Sequence, residues 1–139
     1  MDDGTLLKPA LYQAEGSAAA PDRPALLGGV CATCGYVFFP MQRYGCERCG
    51  GIDLHPRTLS GAGTLLAAAR VHLHAGKGRE APFTMGAVAL DDGPIVRTLI
   101  DNGGEVPQPG LRMATALAPA VDAEGGPRLD LRFVREARP

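Results

Sequence analysis

Tryptophan is absent from this chain of 139 residues, lysine occurs only as Lys8 and Lys77, and aromatic residues make up 5%. A module that coats nucleic acid through bulk charge needs a strongly basic surface, whereas the formal net charge here is −1. No apolar run approaches the roughly 20 residues that a membrane-spanning helix needs. With 45% hydrophobic and 21% charged residues, the composition is that of an ordinary globular protein.

Groups suited to covalent catalysis are also scarce. The chain has two serines, Ser17 and Ser60, and neither lies in the sequence context of a nucleophile elbow. No glycine-rich phosphate loop of the Walker or dinucleotide type occurs. The adjacent acids Asp91 and Asp92 precede a glycine, which is typical of a hairpin turn rather than of an acid–base pair. We therefore expect no catalytic residue in this chain.

The four cysteines form two copies of one motif, CATCG at residues 31–35 and CERCG at residues 46–50. The acidic first residues, 1–4, do not resemble a secretory signal, so we expect a cytoplasmic protein with reduced thiols. A CxxC turn presents two thiolates, and the following glycine lets the backbone bend and direct N–H groups at sulfur. Four thiolates in a tetrahedron are the ligands of a structural zinc ion. The predicted ligands of one Zn²⁺ per chain are Cys31, Cys34, Cys46 and Cys49.

Other uses of the cysteines fit less well. A disulfide framework needs an oxidising compartment, and a thioredoxin-like redox motif usually has a single CxxC. Iron bound as in rubredoxin fits the same spacing, because a tetrathiolate site accepts either metal, but nothing else in the sequence indicates electron transfer. Four cysteine ligands leave no open coordination position, so the predicted zinc is structural and stabilises a segment too short to fold on its own core.

Turn signals predict a mainly β chain in three parts. Residues 1–27 form a lead-in segment, in which Leu6, Leu7, Leu11 and Tyr12 suggest one short helix despite Pro9. Residues 28–56 form a rubredoxin-like zinc ribbon, and residues 57–139 form the second domain. Five strands are predicted there, a long bent one within 61–74 and others at 83–90, 94–100, 111–117 and 129–133. Without βαβ alternation, five short strands favour a closed barrel, for which the OB-fold is the natural candidate.

Two segments outside the cysteine motifs are candidate ligand-binding sites. Tyr36, Phe38 and Phe39 either cover the ribbon hairpin and dock it on the barrel, or line a groove for a flat or apolar ligand. Residues 70–79 carry three cations and no acid, with two glycines that make the loop pliable. Arginine suits bidentate phosphate binding, so this basic loop is either a phosphate site or a solvated loop. Its cations are Arg70, Lys77 and Arg79.

His72 and His74 share a face of the first predicted barrel strand, because side chains two apart on a strand point the same way. They would need a third ligand to bind a second metal, and His55 is not obviously near. A polar barrel face or a contact with a ligand are the alternatives. Near the predicted zinc, Arg43 and Arg48 partly offset the negative charge of the tetrathiolate.

The order of these motifs resembles a known family. A CxxCG knuckle, the step Phe38-Phe39-Pro40, a second CxxCG knuckle and then Leu59-Ser60-Gly61-x-Gly63-Thr64 resemble the zinc-ribbon/OB-fold proteins once described as a domain of unknown function and now as acyl-CoA-associated. The resemblance covers residues 28–135, and it departs at Met41 and Glu47, where the family often has proline. It implies a ribbon packed on an OB-fold. It also implies a non-catalytic partner of thiolase-type enzymes, or of acyl-CoA dehydratases or aldolases, whose reactive residues lie on the other chain.

Our leading hypothesis is therefore an accessory subunit of an acyl-CoA-processing complex that helps to hold coenzyme A or completes an acyl-CoA channel. Arginines would take the phosphates, and aromatic rings would stack on adenine or line the pantetheine path. The alternative is a single-stranded nucleic-acid module, since ribbons and OB-folds both bind single strands, although the net charge argues against it. A rubredoxin-like electron carrier is a third hypothesis. The residues predicted to contact coenzyme A or the partner are Tyr36, Phe38, Phe39, Arg43, Arg70, Lys77 and Arg79.

Overall fold

The computed structural model describes residues 5–18, 20–72, 83–103 and 105–136. These residues form strands and turns and contain no helix, so none of them belongs to a helix long and apolar enough to cross a membrane. The strands are β1 Tyr12–Gln13, β2 Ala25–Cys31, β3 Val37–Phe38, β4 Leu54–Leu59, β5 Ala62–Val71, β6 Phe83–Leu90, β7 Ile95–Asp101, β8 Arg112–Val121 and β9 Pro127–Arg135.

The first sheet is built around β2, which pairs antiparallel with β1, β3 and β4. β4 runs along the whole of one edge of β2, from Leu26 opposite Leu59 to Cys31 opposite Leu54. On the other edge, β1 pairs with the start of β2 and β3 pairs with its end. Gly29 of β2 is required here, because a Cβ at this position would collide with the Phe38 ring. This sheet carries the first cysteine at the end of its central strand.

The second sheet is a closed five-stranded barrel with the order β5-β6-β7-β9-β8, which confirms the predicted barrel. All neighbours are antiparallel except β7 and β9, which pair in parallel over Ile100 and Asp101 only. The register of β5 shifts between Leu65 and Ala67, so the first barrel strand is long and irregular, as predicted. The β6–β7 connection is the expected tight turn, closed by the N–H of Gly93 donating to the Leu90 carbonyl at 2.9 Å.

The prediction of a lead-in helix is wrong. Leu6 forms a parallel bridge with Leu129, and the N–H of Leu7 donates to the Leu129 carbonyl at 2.8 Å. Pro9 has no N–H to donate and disfavours a helix interior, whereas the exposed edge of β9 offers the segment ready partners. Leu6, Leu11 and Tyr12, which suggested an amphipathic helix, instead pack their side chains against the barrel core from an extended and turning chain.

One hydrophobic core joins the two sheets. The lead-in segment and the first sheet contribute three buried side chains to it, and the barrel strands contribute the rest. Phe39 and Val37, which flank Phe38 in the ribbon, pack against the same core. The ribbon is thereby packed directly on the barrel. The buried members are Tyr12, Leu26, Leu59, Leu65, Val88, Leu90, Val96, Ile100, Met113, Leu131 and Phe133.

A buried hydrogen bond ties the lead-in segment to the last strand. The Tyr12 hydroxyl donates to Asp130 Oδ1 at 2.7 Å, and both residues are only 3% exposed. Burial, together with the hydrogen bond to Asp130, raises the pKa of Tyr12 well above its usual range. The same Asp130 oxygen accepts the N–H of Leu131 at 3.0 Å. Because a buried carboxylate must be hydrogen-bonded, Tyr12 is needed as a donor as well as an apolar side chain.

We expect Tyr12→Phe to lower the free energy of unfolding by about 1–3 kcal/mol, because it leaves a buried carboxylate oxygen without its hydroxyl donor. The matched control is Tyr44→Phe, since Tyr44 is 94% exposed and its hydroxyl has solvent as a partner. Urea unfolding followed by far-ultraviolet circular dichroism measures both variants. Equal stability of the two variants would show that the Tyr12 hydroxyl contributes nothing.

Candidate metal centre

The two cysteine turns, residues 31–35 and 46–50, have the same backbone geometry and are called the knuckles below. In each, the N–H of the final glycine donates to the carbonyl of the first cysteine, at 2.7 Å in the first knuckle and 2.9 Å in the second. Gly35 has a φ of +82° and Gly50 a φ of +79°. These angles lie in the left-handed region, which glycine adopts without steric cost. The repeated CxxCG motif is therefore required by the shape of the turn.

The knuckles face each other and bring four sulfur atoms together, all within 4.8 Å of one another. Across the gap, Cys31 Sγ lies 3.6 Å from Cys49 Sγ, and Cys34 Sγ lies 3.7 Å from Cys46 Sγ. A disulfide needs sulfurs about 2.05 Å apart, so neither pair is bonded. Each close pair joins one knuckle to the other, which is the arrangement expected around a single ion. Four soft sulfur donors at this spacing fit one zinc ion with no coordination position left open.

Backbone N–H groups point at the sulfurs, as predicted from the glycine that follows each CxxC. The N–H groups of Arg48 and Cys49 donate to Cys46 Sγ at 3.4 and 3.5 Å, and the N–H of Gly51 donates to Cys49 Sγ at 3.3 Å. Burial alone would raise the pKa of Cys46, but the N–H donors outweigh it and lower this pKa to about 7. In the other knuckle, the N–H of Cys34 is the main reason that the pKa of Cys31 is lowered.

The four sulfurs cannot all carry negative charge without a cation among them. The Gly51 N–H favours a Cys49 thiolate, but the neighbouring cysteines, led by Cys31, outweigh it and raise the pKa of Cys49 to about 12. Such competition is expected when like charges share a small volume. A divalent cation removes the conflict by binding all four as thiolates. The donor set and its electrostatics thus agree with the expected structural zinc, whose contribution is to hold the fold.

The site also forms part of a small core. Cys31 and Cys46 are buried in a cluster with Phe38 and Leu54, whereas Cys49 is exposed. The cluster places the metal site between the end of β2 and the second knuckle, with one side open to solvent. This small core depends on the metal, because four residues bury too little apolar surface to hold two loops together without it.

The three aromatic residues that follow the first knuckle, Tyr36, Phe38 and Phe39, differ in burial and in their contacts. Phe38 is 4% exposed and fills the ribbon core, and Phe39 is half-buried against the barrel core. Tyr36 stacks on Phe38 with ring centroids 6.3 Å apart, and its hydroxyl donates to Glu47 Oε1 at 3.2 Å. The Arg48 guanidinium lies 5.7 Å from the centre of the Tyr36 ring. Tyr36 therefore joins the two knuckles on the surface, while Phe38 supports it from beneath.

The basic and histidine residues that were predicted to bind a ligand or a metal lie on separate elements. Arg43 is exposed in the loop between the knuckles, and Arg70 lies in β5 opposite Thr84. His72 is exposed just after β5, and the described residues contain no group of metal ligands that includes it. Lys77 and Arg79 lie outside the described residues, as does His74.

A pocket of about 160 Å³ was not anticipated from the sequence. It lies where β7 and β9 separate, beside the lead-in segment, and Lys8, Phe39 and Arg97 are among the residues that line it. Lys8 and Arg97 do not belong to any sequence motif. They lie in one pocket only because the lead-in segment crosses the barrel beside β7. No local sequence signal could have identified them.

Comparison with known proteins finds a family match for the ribbon and solved structures with a similar fold. Residues 18–55 match the family described as "ChsH2, rubredoxin-like zinc ribbon domain". Among solved structures, the chain is similar to "Ltp2-ChsH2(DUF35) aldolase", with a TM-score of 0.61 and 20% identity over 80% of this chain and 84% of that one. It also matches a DUF35 protein of unknown function from Sulfolobus solfataricus, with a TM-score of 0.45 and 13% identity over 77% and 75% of the two chains. No curated protein matches the sequence.

We expect the purified chain to contain one zinc per molecule and Cys46→Ser to lose it, because a tetrathiolate site needs all four sulfurs. Thr33→Ser is the control, since it changes a residue of the first knuckle that offers no sulfur ligand. Elemental analysis and an absorbance spectrum are the measurements. A coloured protein containing iron would contradict the zinc assignment and favour an electron carrier.

Proposed function

We propose that the chain is a zinc-ribbon/OB-fold protein of the DUF35 type and a non-catalytic accessory subunit of an acyl-CoA-processing enzyme complex. The observation that carries the proposal is the clustering of all four cysteines, the strongest nucleophiles in the chain, in one metal site. The similar structure named "Ltp2-ChsH2(DUF35) aldolase" supports it, because that name joins a DUF35 chain to an enzyme. The proposed partner is thiolase-like and makes or breaks a carbon–carbon bond of an acyl-CoA.

The two serines offer no alternative nucleophile. Ser17 is 8% exposed and its hydroxyl accepts the N–H of Ala20 at 3.3 Å. The Ser60 hydroxyl donates to Asp92 at 2.8 Å, and the same carboxylate accepts the Ser60 N–H at 3.1 Å. This pair fixes a loop, and no histidine joins it within the described residues. An activated serine needs a neighbouring base that a third group orients, so the proposal assigns the reacting groups to the partner.

In this proposal, the ribbon and the first barrel strand hold the coenzyme A moiety against the partner. Arg70 and the neighbouring Lys77 and Arg79 bind its phosphates, since arginine forms short, charge-assisted hydrogen bonds with phosphate oxygens. Tyr36 and Phe39 contact the adenine or the pantetheine chain, and Arg43 lies at the edge of the same contact. Phe38 is buried, so its role is to support Tyr36 rather than to touch the ligand.

The zinc ion has a structural role in the proposal. It closes the two knuckles and so fixes the direction in which Tyr36 is presented. The proposal also assigns the protein to the cytoplasm, where four reduced thiols persist as metal ligands.

The alternative, a single-stranded nucleic-acid module, receives less support. Such modules stack successive bases on aromatic side chains in a charged groove. The described barrel strands contain two aromatic residues, Phe83 and Phe133, and Phe133 is fully buried. No row of rings is therefore available on β5 to β9.

We expect the zinc-loaded chain to co-purify with the acyl-CoA enzyme encoded beside it, and the complex to bind acyl-CoA more tightly than either subunit alone. Within the complex, Arg70→Ala should weaken acyl-CoA binding by about tenfold or more, because it removes charge-assisted hydrogen bonds to phosphate. Arg57→Ala is the control, since Arg57 is an exposed arginine of β4, in the other sheet. Co-expression, affinity purification and calorimetry measure these effects.

The proposal fails if the two chains do not associate and acyl-CoA does not bind. Binding of single-stranded oligonucleotides that weakens steeply with added salt would favour the nucleic-acid alternative instead.

A further inference from the structure

The pocket of about 160 Å³ lies where the lead-in segment, the ribbon and the barrel meet, and we call it the junction pocket. Its walls include Lys8 and Leu11 of the lead-in segment, Phe39 of the ribbon, and Arg97 and Leu99 of β7. Of these five residues, only Phe39 has a role in the proposed binding of coenzyme A. The two cations and the space between the three parts of the chain are left without one.

Burial divides the junction pocket into an apolar floor and a charged rim. Leu26, Val96 and Phe133 line it and are no more than 4% exposed, so they belong to the floor. Lys8 and Arg97 are exposed and therefore lie at the opening. An apolar lining with a small number of charged groups is the usual composition of a site for a small molecule.

The polar groups on the floor are already paired with one another. Tyr12 and Asp130 both line the junction pocket, and the Tyr12 hydroxyl donates to Asp130 Oδ1 at 2.7 Å. The same hydroxyl accepts the backbone N–H of Lys8 at 3.2 Å, and Asp130 Oδ1 also accepts the N–H of Leu131 at 3.0 Å. The part of a ligand that lies on this floor must therefore be apolar, because a polar group that is buried without a partner is costly.

The two cations at the rim, by contrast, have no partner. Within the described part of the chain, neither the Lys8 ammonium nor the Arg97 guanidinium forms a hydrogen bond or an ion pair. The third charged side chain of the lining is Asp130, so the junction pocket has a formal net charge of +1. A ligand with one negative charge balances it, whereas a phosphate group carries about −1.5 to −2. A carboxylate is the monoanion that guanidinium and ammonium groups bind most readily in proteins.

The volume of the junction pocket limits the size of the ligand. Sites for drug-sized ligands occupy about 300–1,000 Å³, so a volume of about 160 Å³ is too small for a nucleotide or for a whole coenzyme A. An apolar cavity of about 150 Å³ holds one benzene molecule. The apolar part of the ligand therefore has about five or six carbon atoms.

We propose that the junction pocket binds a small monocarboxylic acid, whose apolar body lies on the floor and whose carboxylate pairs with Lys8 and Arg97. This site is separate from the proposed coenzyme A contacts at Tyr36 and Arg70, and it needs no partner subunit. The bound acid contacts the lead-in segment, the ribbon and the barrel together, so its binding also stabilises their packing.

Nuclear magnetic resonance titration of the full, zinc-loaded chain tests the proposal without any enzyme subunit. The probes are acetate, butyrate and hexanoate, and hexanamide is the neutral match of hexanoate. Lys8→Gln and Arg97→Gln each remove one charge from the rim. Arg57→Gln is the control, since it removes the charge of an exposed arginine in the other sheet. Zinc content and thermal unfolding show that each variant is folded, and the amide shifts give the dissociation constants.

We expect hexanoate to cause its largest amide shifts at Leu11, Phe39 and Leu99. It should bind about tenfold or more tightly than butyrate, because each buried methylene strengthens binding by about fourfold. Replacing hexanoate by hexanamide, or introducing Lys8→Gln or Arg97→Gln, should weaken binding by about fivefold or more. Arg57→Gln should change it by less than about twofold.

Equal affinities for acetate and hexanoate would show only a nonspecific contact with anions and would overturn the proposal. Hexanoate binding that both Lys8→Gln and Arg97→Gln leave unchanged would also overturn it, as would a titration that produces no shifts at Leu11, Phe39 and Leu99. None of these results affects the proposed partnership with an acyl-CoA enzyme, which co-purification tests separately.

Discussion

Strand β2 is the element on which both halves of this protein depend. Its last residue, Cys31, belongs to the metal site, while Leu26 near its start belongs to the core shared with the barrel. The strand also holds β1, β3 and β4 in place through its backbone hydrogen bonds. Metal binding at one end therefore acts on the same rigid strand that packs against the barrel at the other. A loss of the metal would loosen the ribbon and the surface through which the ribbon contacts the barrel.

Buried side chains fill the interior of the barrel, so a ligand or a partner has to bind at its surface. Leu65, Val88, Met113 and Phe133 are almost fully buried and occupy the interior, as expected for a small barrel packed with side chains. A ligand must then bind outside the filled interior, where Tyr36 in the ribbon and the pocket lined by Lys8 and Arg97 lie on different elements.

Local patterns account for much of what could be predicted. The repeated CxxCG motif indicated the four sulfurs because the turn geometry that presents two thiolates is encoded within five residues. Alternating or apolar runs bounded by turn residues indicated the barrel strands, and the Asp-Asp-Gly turn marked the β6–β7 hairpin. The lead-in helix was predicted wrongly because Leu7 and Leu11 have the i, i+4 spacing of a helix face. The partners of Leu6 and Tyr12, which are Leu129 and Asp130, instead lie at the far end of the chain.

The ligands of the metal site and the number of barrel strands could be predicted from the sequence, because both depend mainly on residues that are close along the chain. Other features depend on contacts between distant segments. Phe38 is buried and Tyr36 is half-buried because β3 folds back on Gly29 of β2. Lys8 and Arg97 line one pocket because the lead-in segment crosses the barrel beside β7. Such environments arise only when distant segments pack, since burial and charge pairing are properties of the neighbours that folding supplies.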